Sequence, residues 1–103
     1  MNPNIQTTDE IAVDFGGRTY HGVLDYDPAD AVLVMLEAEG PERFSTNFQC
    51  YGLVAAPGCV FVKDWSEHSG LAAALQEAGL VRIVRNVEVG PFASTAYEVE
   101  VRL

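Results

Sequence analysis

Between Glu10 and Asp27 apolar and polar residues alternate on both sides of a Gly16-Gly17 pair, and this pattern restricts the fold more than any other. In EIAVDF, Ile11, Val13 and Phe15 fall on one face and Glu10, Ala12 and Asp14 on the other. In RTYHGVLDYD, Tyr20, Leu24 and Tyr26 oppose Thr19, His21, Val23 and Asp25. A period of two belongs to a half-buried strand, because successive side chains leave a pleated backbone on opposite sides. The glycines supply the positive φ that a tight hairpin turn needs. The segment is an antiparallel hairpin, which needs further strands or a helix to bury its apolar face.

The rest of the chain supplies them. DYDPAD is a turn, in which Pro28 fixes φ and the aspartates accept bonds from nearby amides. AVLVMLE, residues 31–37, has the length and valine content of a strand buried on both faces. AEGPE turns the chain again. In RFSTNFQ, Phe44, Thr46 and Phe48 alternate against Arg43, Ser45 and Asn47, as in a second hairpin. CYGLVAAPG is an irregular connection, and CVFVKD is the next strand. Leu71, Leu75 and Ala78 then recur on one helical face, Ala72 to Ala74 favour helix, and Gly79 stops it with Leu80 over the stop. VRIVRNVEV sets Val81, Ile83, Val87 and Val89 on one face, with Arg85 interrupting. After Gly90-Pro91, STAYEVEVRL alternates Thr95, Tyr97, Val99, Val101 and Leu103 against Ser94, Ala96, Glu98, Glu100 and Arg102.

The expected fold is α+β. It is an antiparallel sheet of about six to seven strands built from hairpins, in the order β-β-β-β-β-α-β-β. One helix, at residues 66–78, packs on one face. A chain of 103 residues has room for one core. Residues 9–103 are expected to form a single domain, and residues 1–8 a flexible polar arm.

The densest cluster of reactive side chains is DWSEHS, residues 64–69. Asp64, Ser66 and His68 have the composition of a hydrolytic triad but the wrong spacing. Residues two apart on a helix point about 200° from each other, so serine, histidine and acid do not meet in sequence. Capping accounts for the same residues. Asp64 with Glu67 three positions on resembles a capping box, Ser66 is a second cap, and both acids suit the positive end of a helix.

Metal and cofactor motifs are missing too. His21 and His68 are the only histidines, and Cys50 and Cys59 lack the C-x-x-C spacing of zinc and redox sites. Nothing argues for export, so both thiols are expected to be reduced. DYDPAD lacks the bending glycine and closing glutamate of a calcium loop. No glycine-rich phosphate loop is present. No catalytic residue, metal or cofactor is therefore expected. Trp65, the single tryptophan, either wedges the helix start onto the sheet or anchors a protein interface.

Charge is the other strong signal. Fifteen acids and six bases give a net charge of −9. Residues 1–42 carry nine acids and one base, whereas residues 43–103 carry six acids and five bases. One strongly negative face is expected. Direct binding to nucleic acid or anionic lipid is disfavoured, since both require Lys and Arg to displace counterions. A basic protein surface is favoured instead. No apolar run reaches the roughly 20 residues of a membrane span, and MNPNIQTTDE lacks the features of a secretory leader.

The stretch VFVKDWSEHSGLAAALQEAGLV resembles a family of small bacterial proteins carried on plasmids, phages and integrative elements. In that family a (V/A)-(F/Y)-V-K-D-(W/Y)-S-E core leads into a G-L-x-x-A-L-x-x-A-G helix and then a G-F-x-(T/S) strand. Val60, Phe61, Val62, Lys63, Asp64, Trp65, Ser66 and Glu67 match the core, and Gly70, Leu71, Ala74, Leu75, Ala78 and Gly79 match the helix. Asparagine is usual in the family where His68 stands here. The likeness covers residues 31–103 and is closest over 58–81. It implies a mobile-element protein working in the cytoplasm of a bacterial host.

Anti-CRISPR and anti-restriction proteins are similar in size and charge, and many block a nucleic-acid channel with carboxylates placed where phosphates would lie. By that analogy the chain is a non-enzymatic inhibitor of a host-defence nucleoprotein. Asp25, Asp27, Asp30, Glu37, Glu39 and Glu42 would substitute for phosphates, with Asp14 and Trp65 completing the partner-binding set. Two further readings stay open. One is an enzyme or small-ligand binder with a pocket between sheet and helix, lined by Tyr20, His21, Tyr26, Cys50 and Trp65. The other is a homodimeric scaffold paired through edge strands, with VRIVRNVEV and the C-terminal strand as the edges.

Overall fold

The computed structural model describes residues 5–65 and 68–103. Among them are nine strands and one α-helix, and every strand pair is antiparallel, so the α+β class holds. The strands form two sheets rather than the single one expected. The first contains β1 (Gln6–Thr7), β2 (Ile11–Phe15), β3 (Arg18–Asp27), β4 (Val32–Glu37) and β5 (Gly40–Arg43). β1 and β2 share one edge of β3, and β4 and β5 follow on its other side. The second sheet contains β6 (Ser45–Thr46), β7 (Cys59–Lys63), β8 (Val81–Val89) and β9 (Ser94–Val101), in the order β6-β7-β9-β8.

Phe44 divides the sheets. It alone separates β5 from β6, and it is 1% exposed. Its N–H donates to the Leu33 carbonyl at 2.9 Å, and the Ser45 hydroxyl accepts the Leu33 N–H at 2.8 Å. The chain thus leaves one sheet and enters the other at a residue whose ring fills the corner. Phe15 and Tyr20 meet that ring edge-on, each at 5.9 Å. The hairpin expected over residues 43–49 is this corner, followed by a 3-10 turn at Gln49–Tyr51.

The helix, α1 (Leu71–Glu77), lies between the two remaining edges, touching β2 of the first sheet and β7 and β8 of the second. Leu71, Ala72 and Leu75 are fully buried and join Val13, Leu33 and Met35 with Val60, Val62 and Val99 in one core. Burying each leucine contributes roughly 1.5–3 kcal/mol. The Gln76 side chain also accepts the Ile83 N–H at 2.8 Å, which satisfies an edge amide of β8.

α1 is shorter than the expected 66–78. Gly70 has φ +89°, a left-handed conformation that no helical residue adopts, so the helix begins after it. Asp64 still caps it, from further away than a capping box reaches. Its Oδ1 accepts the Gly70 N–H at 2.9 Å and its Oδ2 the Ala72 N–H at 3.1 Å. The caps expected at Ser66 and Glu67 lie outside the described residues. At the other end Gly79 has φ +78°, and the Leu80 N–H reaches the Leu75 carbonyl at 3.0 Å, the stop the sequence called for. Asp64→Ala should lower stability by about 1–2 kcal/mol in urea unfolding, whereas Asp64→Asn should keep most of it.

Three strands depart from expectation. β8 has a bulge between Ile83 and Arg85 that reverses its phase, so Val87 and Val89 lie on the face opposite Val81 and Ile83. There Phe48, Phe61, Val89 and Ala96 form a second small core, with Leu53, Ala55, Trp65 and Val87 against it. The second sheet is therefore covered on both faces. β4 is not buried on both faces: Leu33 and Met35 are, but Val32 and Val34 are half-buried and Leu36 is 39% exposed, because among the described residues nothing packs over the outer face of the first sheet. β9 lies between β7 and β8, so the C-terminal strand is not the edge it was expected to be. In the segment expected as a loose arm, Gln6 and Thr7 pair with Tyr26 and Asp25. No described helix is long and apolar enough to cross a membrane.

Candidate functional site

Strand alternation and register decide where each acid points. Asp14 on β2, Asp25 and Asp27 on β3, and Val32, Val34 and Leu36 on β4 share the outer face of the first sheet. The pairings Asp25 with Val34, Asp27 with Val32 and Val23 with Leu36 set them in rows. Each of the three aspartates is held by a local donor. The Thr19 hydroxyl donates to Asp14, the Thr7 hydroxyl to Asp25 at 2.7 Å, and the Ala29 N–H to Asp27 at 3.0 Å. Asp30 is exposed in the turn at one end of the sheet and Glu39 in the turn at the other. The six residues of β4 separate those two turns by about 20 Å.

Glu37 and Glu42 lie elsewhere. On β4 Glu37 falls two residues after the inward Met35, and on β5 Glu42 pairs directly with Met35, so both lie on the inner side of the sheet, away from the three aspartates. Glu37 takes two bonds from Arg18, at 3.2 and 3.3 Å, and that guanidinium rests 4.1 Å from the Tyr20 ring centre. Glu42 Oε1 lies 3.4 Å from His68 Nε2. The fold therefore gathers Asp14, Asp25 and Asp27 on one face, sets Asp30 and Glu39 at its two ends, and engages Glu37 and Glu42 in side-chain pairs. Trp65 is on the second sheet, packed against the small core there.

The pocket between sheet and helix is not formed by the residues expected to line it. Tyr20 and Tyr26 are buried in the main core, His21 is exposed on the outer face of the first sheet, and Cys50 is exposed in the 3-10 turn. Trp65 belongs to the other core. The space between sheets and helix is filled with side chains. The clefts lie on the surface instead. One, about 380 Å³, separates the turn after β3 from the segment before β7. Two more, of about 310 and 360 Å³, meet beside Lys63. Among the described residues no three His, Cys, Asp or Glu side chains converge as a metal site would require.

One polar cluster gave no warning in the sequence. Glu98 occupies what alternation marks as the solvent side of β9, yet it is 3% exposed. The connection from Phe48 to Gly58 folds back over it. Its Oε1 accepts from Arg85 Nε at 2.7 Å and its Oε2 from the Ala56 N–H at 2.8 Å. Burial alone would raise its pKa, but the Ala56 N–H, the Arg85 guanidinium and the Cys59 thiol together hold it below the usual glutamate range. Cys59 is shifted upward, by burial first and then by the negative charges of Glu98 and Glu100, so its sulfur stays a thiol rather than a nucleophile. Tyr26 is raised as well, by burial and then by Cys59 and Asp27, and its hydroxyl has no hydrogen-bond partner among the described residues. This cluster fastens a loop.

No protein-family model, no curated protein and no solved structure matches the chain.

Proposed function

We propose that this chain is a binding protein without catalytic activity, and that the outer face of its first sheet docks on a basic protein surface. The observation that supports this is the asymmetry of the two sheets. The second is covered on both faces, whereas the first leaves Val23, Val32, Val34 and Leu36 outside both apolar clusters. A half-apolar sheet face edged by Asp14, Asp25 and Asp27 suits a partner that offers apolar side chains ringed by Lys and Arg. Asp30 and Glu39 extend the negative field to both ends of the sheet. The narrower reading is an inhibitor of a host-defence nucleoprotein that occupies its nucleic-acid groove. It rests on the charge and on the resemblance of the core from residue 58 to residue 81.

The test is capture of a partner from a bacterial host lysate at low and high salt, beside an Asp14→Asn, Asp25→Asn, Asp27→Asn variant and a Leu36→Glu variant. All three substituted aspartates are on the surface, so the triple variant should keep the native melting curve. It should lose most of the captured partner, mainly through slower association, and the loss should resemble that caused by high salt. Leu36→Glu should weaken capture at every salt concentration. Added DNA should compete if the groove reading is right. A well-folded triple variant that captures the same partner equally well would sink the proposal.

A further inference from the structure

The two clefts beside Lys63 are chemically different halves of one depression. The first, about 310 Å³, has aromatic walls from Tyr51, Trp65 and Phe92. The second, about 360 Å³, carries Arg43, Lys63 and His68. Thr46, Asn47 and Lys63 line both. Two of the chain's six Lys and Arg, Arg43 and Lys63, meet here, while His68 is already paired with Glu42 at 3.4 Å. Phe92 is 89% exposed and Tyr51 52%, so large apolar surface is left in water next to a cation. The turn that carries Phe92 also holds Ala93 at φ +49°, a conformation that costs a non-glycine residue roughly 1–2 kcal/mol. Tyr51 reaches that turn: a Cβ on Gly90 would sit 3.6 Å from its hydroxyl. Lys63 Nζ is 5.6 Å from the centre of the Trp65 ring, so an aromatic wall and an ammonium are within reach of one small molecule.

We infer that this double cleft binds a small planar aromatic anion of mononucleotide size, its ring against Tyr51, Trp65 and Phe92 and its phosphate against Lys63 and Arg43. Stacking on aromatic side chains contributes roughly 1–3 kcal/mol per base. Lys and Arg add charge-assisted bonds to phosphate oxygens. The volumes fall at the lower end of the roughly 300–1,000 Å³ typical of small-ligand sites. A nucleic-acid strand is a poor occupant, because a net charge of −9 repels a polyanion. A mononucleotide brings one phosphate, which meets the local basic groups. Thr46 and Lys63 belong to the second sheet, whereas Arg43 comes from β5 of the first, where it pairs with Val34 beside the proposed docking face.

Trp65 is the single tryptophan, so its fluorescence reports on this cleft without interference. The full chain is titrated with adenosine 5′-monophosphate, with adenosine and with inorganic phosphate. The nucleotide should give a saturable change, and adenosine and phosphate should each bind at least about tenfold more weakly. Lys63→Gln should weaken the nucleotide about tenfold and leave adenosine unchanged, while Phe92→Ala should weaken both. Phe92 and Lys63 are at the surface, and unchanged melting curves would show that neither variant is misfolded. The proposal is overturned if millimolar nucleotide gives no saturable change, or if nucleotide and adenosine bind alike. It is also overturned if a single-stranded oligonucleotide binds far more tightly than the mononucleotide.

Discussion

Gly22→Ala should cost about 3 kcal/mol of stability or more, the largest effect expected of any single methyl group in the chain. A Cβ at this position would lie 2.0 Å from the Leu36 carbonyl oxygen and 2.8 Å from its carbon. Those atoms are backbone, so no side-chain rotation relieves the overlap. Gly22 has φ +159°, a backbone conformation that L side chains rarely adopt. The outer neighbour of β3 changes from β1 to β2 opposite this stretch, and the Thr8 N–H and hydroxyl bridge the break by bonding the Leu24 carbonyl and N–H at 3.0 and 2.9 Å. A methyl group forces β3 and β4 apart where Val23 pairs with Leu36, which also disturbs the proposed docking face. For a chain of this size the melting temperature should fall by roughly 12 °C or more. Gly17→Ala is the control. Gly17 has φ +76° with nothing near its missing Cβ, so alanine there costs only backbone strain, roughly 1–2 kcal/mol. Equal losses in the two variants would show that close approach is not what requires glycine at position 22.

The same hairpin shows how far the sequence carries. The bounds of β3, Arg18–Asp27, and the inward set Tyr20, Leu24 and Tyr26 follow from alternation, and Gly16 and Gly17 both have the positive φ their pairing implies. Alternation is readable there because only one face of the first sheet is buried. It misleads where both faces are buried or where the phase changes. Along β8 one extra residue moves Val87 and Val89 to the second core, and its one local mark is Arg85 breaking the apolar alternation where the bulge falls. Phe44 reads as one more alternating residue, whereas its ring fills a corner that exists only once Phe15 and Tyr20 are in place. Asp64 was recognisable as a cap, but where the helix starts depends on the conformation of Gly70. The acids were countable, yet their directions were not. Glu37 follows Leu33 and Met35 at intervals of two, so a half-buried β4 would have placed it on the inner side beside Arg18. A strand buried on both faces carries no such direction.

Glu98→Gln should destabilise the chain by roughly 2–3 kcal/mol at neutral pH, and the loss should shrink in acid. The carboxylate takes one bond from Arg85 and another from the Ala56 N–H, and amide replacement sets an –NH₂ group against one of these donors. Bonds to a charged acceptor are worth about 1.5–3 kcal/mol. The share from Arg85 is discounted because that side chain is 48% exposed and its charge is partly screened. The pH dependence follows from the depressed pKa of Glu98. An unfolded glutamate titrates near 4.3, and the folded one lower. The stabilisation is therefore complete above the unfolded value and is lost as pH falls through the folded one. Wild type and variant should differ most at neutral pH and converge as pH falls below the ordinary glutamate range and through the lowered value of folded Glu98. Urea unfolding at a series of pH values measures the difference directly, and because other acids titrate alike in both chains, their effects cancel. Amide exchange adds the local test. The Ala56 N–H should lose protection in the variant while Val60 and Val62, deep in the main core, keep theirs. A constant difference from pH 7 to pH 3, with Ala56 still protected, would mean that Glu98 is held by packing and that its charge does not fasten the loop.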